Sequence, residues 1–74
     1  MIYRIVTGFY PSKETADKVQ TKVKGKVKTA RVLKTYDFYL VELNTALTFD
    51  EARRLIAEYI SKGIACGIDV SEEY

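Results

Sequence analysis

Apolar and polar positions along the 74 residues fall into six short periodic blocks. Ile2 to Thr7 is rich in Ile, Val and Tyr and predicts a first strand that ends at Gly8. After Pro11, Ser12 is a good N-cap, and Ala16, Val19 and Val23 recur at helical spacing through Lys13 to Lys24. Gly25 supplies a stop. Val27 to Lys34 predicts a second strand, Thr35-Tyr36-Asp37 a turn, and Phe38 to Leu43 a third strand.

The second helix has the clearer start. Thr48-Phe49-Asp50-Glu51 fits a capping box, with Leu47 and Ala52 placed as a hydrophobic staple. Ala52, Leu55, Ile56, Tyr59 and Ile60 then form a wide apolar stripe. Gly63 ends the helix, and Ile64 to Val70 predicts the last strand, with Ile64, Cys66, Ile68 and Val70 on one face. Ser71 to Tyr74 is expected to be a frayed tail.

A shift of 36 positions puts Tyr3 on Tyr39, Ile5 on Val41, Gly8 on Asn44, Ser12 on Thr48, Ala16 on Ala52 and Val19 on Leu55. Gly and Asn both tolerate positive φ, so each half is expected to turn after its strand in the same way. Two amphipathic units could agree by coincidence, but an internal β-α-β repeat accounts better for the match of caps, turns and core positions. The predicted architecture is α+β. It is a ferredoxin-like split β-α-β domain with a four-stranded antiparallel sheet, both helices on one face, and the other face open.

Composition narrows the chemistry. One cysteine excludes an internal disulfide, and the absence of histidine removes the commonest general acid-base near neutral pH. No metal site or cofactor is expected, and Asp50 and Glu51 have no second carboxylate at catalytic spacing. The chain is therefore expected to be a non-catalytic module. At 47% hydrophobic and 30% charged residues it reads as one globular domain over residues 1–74. A formal charge of +2 permits an anionic partner without arguing for one. No stretch is long and apolar enough to span a bilayer, so no membrane is expected. The first residues do not read as a signal peptide, because Arg4 interrupts them.

The motif Tyr3-Arg4-Ile5-Val6-Thr7-Gly8-Phe9, followed by Ser12 and Ala16, resembles the signature of sporulation-related repeat (SPOR) domains. In that family a Tyr/x/Val/x/Val/Gly/x/Phe strand and turn leads into a Ser/x/x/x/Ala helix start. The second half is similar in a looser form, from Tyr39-Leu40-Val41 through Thr48 and Ala52 to Gly63-Ile64-Ala65. It departs from the pattern in having Asn44 for Gly and no Phe after it, and the second strand is unusually basic. The resemblance covers roughly residues 2 to 70. It implies a module that binds peptidoglycan glycan strands stripped of stem peptides, appended to a wall amidase or to a phage endolysin. In the endolysin setting the protein would stay cytoplasmic until released to the wall.

Strand alternation assigns the faces. Tyr3, Ile5 and Thr7 point inward, leaving Ile2, Arg4 and Val6 on the open face; Phe38, Leu40 and Glu42 join them from the third strand. Arg31 and Leu33 are assigned there from the second strand. Phe9 and Tyr10, read as the turn after strand one, either stack on a sugar or cap the core.

The expected ligand or interface set is thus Arg4, Val6, Phe9, Tyr10, Arg31, Phe38, Leu40 and Glu42. Flat apolar surface beside donors and acceptors suits sugar rings. The same apolar patch suits a homodimer that would set the assembly state of a parent enzyme. Nucleic acid is disfavoured, because only Phe38 offers a ring for base stacking on the central strands. The Lys22, Lys24, Lys26 and Lys28 run reads as a solvated edge or, less simply, a phosphate site. Cys66 reads as a small core residue.

Overall fold

Both N-caps read from the sequence form. The Ser12 hydroxyl accepts from the Thr15 amide at 3.2 Å and the Thr48 hydroxyl from the Glu51 amide at 3.2 Å, and each caps one orphan donor of its helix. The computed structural model describes residues 2–71. In chain order the elements are β1 (Ile2–Tyr10), α1 (Lys13–Lys24), β2 (Arg31–Lys34), β3 (Tyr39–Ala46), α2 (Phe49–Ser61) and β4 (Gly67–Ser71). The strands form one antiparallel sheet in the order β2-β3-β1-β4. This is the α+β, ferredoxin-like split β-α-β arrangement.

One core holds both helices. Ile5, Leu43 and Ala46 of the sheet are buried with Ala52 and Tyr59 of α2, and Val23 of α1 packs against the same cluster. The helices therefore lie on one face, and the other is free of them.

The register carries the internal repeat. In the outer pairings, Arg31 opposes Glu42 and Val32 opposes Val41, while 36 positions away Gly67 opposes Val6 and Ile68 opposes Ile5. Likewise Leu33 opposes Leu40 as Asp69 opposes Arg4, and Lys34 opposes Tyr39 as Val70 opposes Tyr3. The two β-α-β halves are built on the same ladder.

Element ends depart from the sequence reading for local reasons. Gly8 does not end β1. It is near-extended, with φ 159°, within a bulge that lets the strand run to Tyr10. Asn44 likewise does not turn the chain. It lies inside β3, its amide donates to the Tyr59 hydroxyl at 3.1 Å, and no non-glycine residue among those described has positive φ. A second irregularity of the β1-β3 ladder falls at Leu43, whose carbonyl accepts from the Thr29 hydroxyl.

The segment from Val27 to Ala30 is a turn and not strand. The Val27 amide bonds back to Val23 and the Ala30 amide to Val27, while Gln20 and Lys24 both donate to the Ala30 carbonyl at 3.2 Å. Both Val27 and Ala30 are buried plugs beneath α1. Strand β4 starts at Gly67, later than expected, because the Ile64 amide is taken by the Tyr59 carbonyl in a Schellman close with Gly63 at φ 82°. Gly25, by contrast, is right-handed at φ −65°.

The staple through Leu47 does not form, since Leu47 is exposed; Phe49 takes its place by setting its ring edge-on to Tyr3 at 6.0 Å. Ile60 also falls outside the buried stripe. Of the expected tail, Ser71 belongs to β4 and the rest lies outside the described residues.

A charge-balanced aromatic face as the candidate functional site

Pairing places Arg4, Val6 and Phe9 of β1 on the helix-free face beside Glu42 and Leu40 of β3, with Arg31 and Leu33 of β2 opposite these. The face assignment made from alternation is correct at Arg4, Val6, Leu40, Glu42, Arg31 and Leu33, whereas Phe9, read from the sequence as a turn residue, joins them through the longer β1. Exposure is another matter. Leu40 is 0% exposed and Val6 is also buried, although both were expected to form an open patch. The ladder explains it: Leu40 sits between Phe9 and Leu33, and Val6 opposes Glu42. The helix-free face thus carries a thin second layer of packed side chains, outside the main core.

What remains available is an aromatic pair. Phe9 and Phe38 meet edge to face with centroids 6.4 Å apart, and are 53% and 47% exposed. The sequence hides this pair, because Gly8 reads as the end of the strand and Phe9 as part of a turn. Phe9 is in fact the last outward residue of β1. Tyr10, grouped with it in the expected site, lies on the opposite face: its partner is Tyr39, and its hydroxyl lies 2.9 Å from the Thr7 hydroxyl.

Beside the rings runs a ladder of charge. The Arg31 guanidinium donates from Nε to Glu42 Oε1 at 2.9 Å. Arg4 Nε lies 2.9 Å from Glu42 Oε2, an ionic contact outside hydrogen-bonding geometry, and Arg4 also approaches Asp69 at 3.9 Å. Glu42 is only 3% exposed, so it is held by a guanidinium on each side. Asp69 was not among the expected site residues. The signal that could have found it is the repeat, which makes Asp69 the counterpart of Leu33. Among the described residues, the ion-paired charges of this face balance, Arg4 and Arg31 against Glu42 and Asp69.

The remaining candidates separate from this face. Lys26 donates to the Lys62 carbonyl at 2.9 Å and Lys24 to the Ala30 carbonyl, so part of the basic run caps backbone carbonyls instead of forming one patch. Cys66 packs partly buried against the core, and burial pushes its thiol pKa up, away from thiolate reactivity. Among the described residues no group of three or more acidic, histidine or cysteine side chains could hold a metal ion. No helix there is long and apolar enough to cross a membrane. The chain matches no protein-family model, no curated protein and no solved structure.

Proposed function

We propose that this chain is a non-catalytic glycan-binding module that docks cell-wall glycan strands across its helix-free face. The observation that carries the reading is the exposed Phe9–Phe38 pair set beside a charge-balanced Arg/Glu ladder. Sugar rings present flat apolar faces to aromatic side chains and hydroxyls to donors and acceptors, and this face offers both kinds of partner. Arg31, half-exposed, keeps donor positions of its guanidinium directed to solvent beyond the one Glu42 occupies.

Charge balance favours a glycan over nucleic acid. Although Phe9 and Phe38 restore a ring pair that could stack bases, phosphate backbones draw their affinity from net positive charge, and here each arginine of the face is paired with a carboxylate. A homodimer through the sheet is the weaker reading, because burial of Val6 and Leu40 removes the two aliphatic side chains it relied on.

Co-sedimentation with purified peptidoglycan sacculi tests the proposal. The chain is expected in the pellet, with Phe9→Ala and Phe38→Ala each weakening binding about tenfold, the scale of one lost stacking contact. Binding should change little with salt. Protein that stays in the supernatant overturns the wall reading, and a dimer in sedimentation equilibrium that Phe38→Asp dissolves would put the interface in its place.

A further inference from the structure

On the helix side of the sheet, a space is left unfilled. A cleft of about 500 Å³ opens between α1, the end of β1 and the loop entering β4, with Thr7, Tyr10, Val19, Val23 and Ile64 among its walls. This lies within the ~300–1,000 Å³ usual for small-molecule sites.

The internal repeat shows what is missing from it. The position equivalent to Val23 in the second half is Tyr59, whose ring is buried in the core. The position equivalent to Gly63, at the cleft wall, is Val27, also buried in the core. The cleft is therefore the counterpart of a space that Tyr59 and Val27 close on the other side of the molecule, whereas here the ring of Tyr10, whose counterpart is the small Ala46, lines the wall.

Charge repeats the lesson. Lys22 and Lys26 stand at the cleft, and their counterparts are Glu58 and Lys62, which pair with each other at 3.8 Å. Where the second half has an acid and a base, the first has two bases. Lys26 is held in place by its bond to the Lys62 carbonyl, and the hydrogen-bonded Thr7 and Tyr10 hydroxyls add a polar floor. Compared with its twin, this half lacks one carboxylate, and its ring comes from Tyr10 of β1 instead of from the helix.

We infer that the cleft binds a small carboxylate with an apolar body, the body against Val19, Val23 and Ile64 and the carboxylate between Lys22 and Lys26. The site lies on the sheet face opposite Phe9 and Phe38, so it is independent of the glycan reading.

The test is an amide-resolved NMR titration of the whole chain with phenylacetate as probe, and with benzyl alcohol and acetate as the two halves of its chemistry. Saturable shifts are expected at Thr7, Tyr10, Val23 and Ile64, with phenylacetate binding about tenfold tighter than either fragment, the scale of one charge-assisted contact. Lys22→Glu, at an exposed position, restores the acid-base pair of the other half and should weaken binding by about the same factor. Val23→Tyr should fill the cleft and abolish saturation while the spectrum stays dispersed. Absence of saturable shifts in the wild type, or equal binding by Lys22→Glu, overturns the proposal whether or not the tyrosine variant folds.

Discussion

The first half, Ile2 to Lys34, and the second, Tyr39 to Ser71, share a ladder register residue for residue in their outer pairings, yet they solve the same packing problem differently. Under α2, Tyr59 fills the interior and hydrogen-bonds Asn44; under α1, the smaller Val23 leaves a cleft. At the centre of the helix-free face, the equivalent positions 6 and 42 hold Val and Glu, and positions 4 and 40 hold Arg and Leu. The helix ends differ too: Gly63 is left-handed, Gly25 right-handed. A duplicated backbone plan thus tolerates unlike side chains wherever each set satisfies its own burial and charge. Asymmetry of this kind is where function has room to settle, since the ladder itself does not depend on it.

Three sets of substitutions break or sharpen the comparison. Tyr59→Val copies the first half into the second and has the largest expected effect. Losing a buried ring and orphaning the Asn44 amide should cost about 3–4 kcal/mol in urea unfolding, within the range for large-to-small core changes. A cost below about 1 kcal/mol would mean that the two halves pack alike after all.

Next comes the charged centre. Glu42→Val reproduces position 6 but takes the nearer carboxylate from Arg4, whose side chain is 12% exposed; a loss of about 3 kcal/mol is expected. Adding Arg4→Leu, which copies position 40, should return stability to within about 1 kcal/mol of the starting chain, because well-packed apolar groups replace buried ion pairs at little cost. If the double variant is no better than the single, Arg4 draws its support elsewhere.

The smallest effects test the helix ends. Gly63→Ala must hold a side chain at φ 82° and should lose about 1–2 kcal/mol, with no steric contribution, since its Cβ would only reach ordinary contact with Lys26. Gly25→Ala, at φ −65° and with open space around it, should gain about 0.5 kcal/mol by restricting the unfolded chain. Thermal melts of the pair should therefore shift in opposite directions, and a shift of the same sign would erase the distinction between the two caps.

Local chemistry makes much of this protein legible in its sequence. Ser12 and Thr48 cap their helices because a short hydroxyl satisfies an amide three residues on, whatever the surroundings. Strand alternation put Arg4, Glu42, Arg31 and Leu40 on the correct face, because the period of two is a property of the pleat. The 36-residue offset, visible in Tyr3 and Tyr39 or Ser12 and Thr48, anticipated the shared ladder.

What only the tertiary structure decided is who covers whom. Val6 and Leu40 read as exposed because alternation gives direction and not neighbours; Phe9, Leu33 and Glu42 arrive beside them through strand pairing with distant parts of the chain. Bulges are equally non-local. The irregularity at Thr7 and Gly8 exists because β1 must match β3 at both ends, and it turned Phe9 from a turn residue into half of an exposed aromatic pair with Phe38. The cleft under α1 has no local signature, since Val23 and Gly63 are ordinary residues at their own positions. It emerges because the fold brings them together where Tyr59 and Val27 close the equivalent space, and burial is a property of the assembled layers.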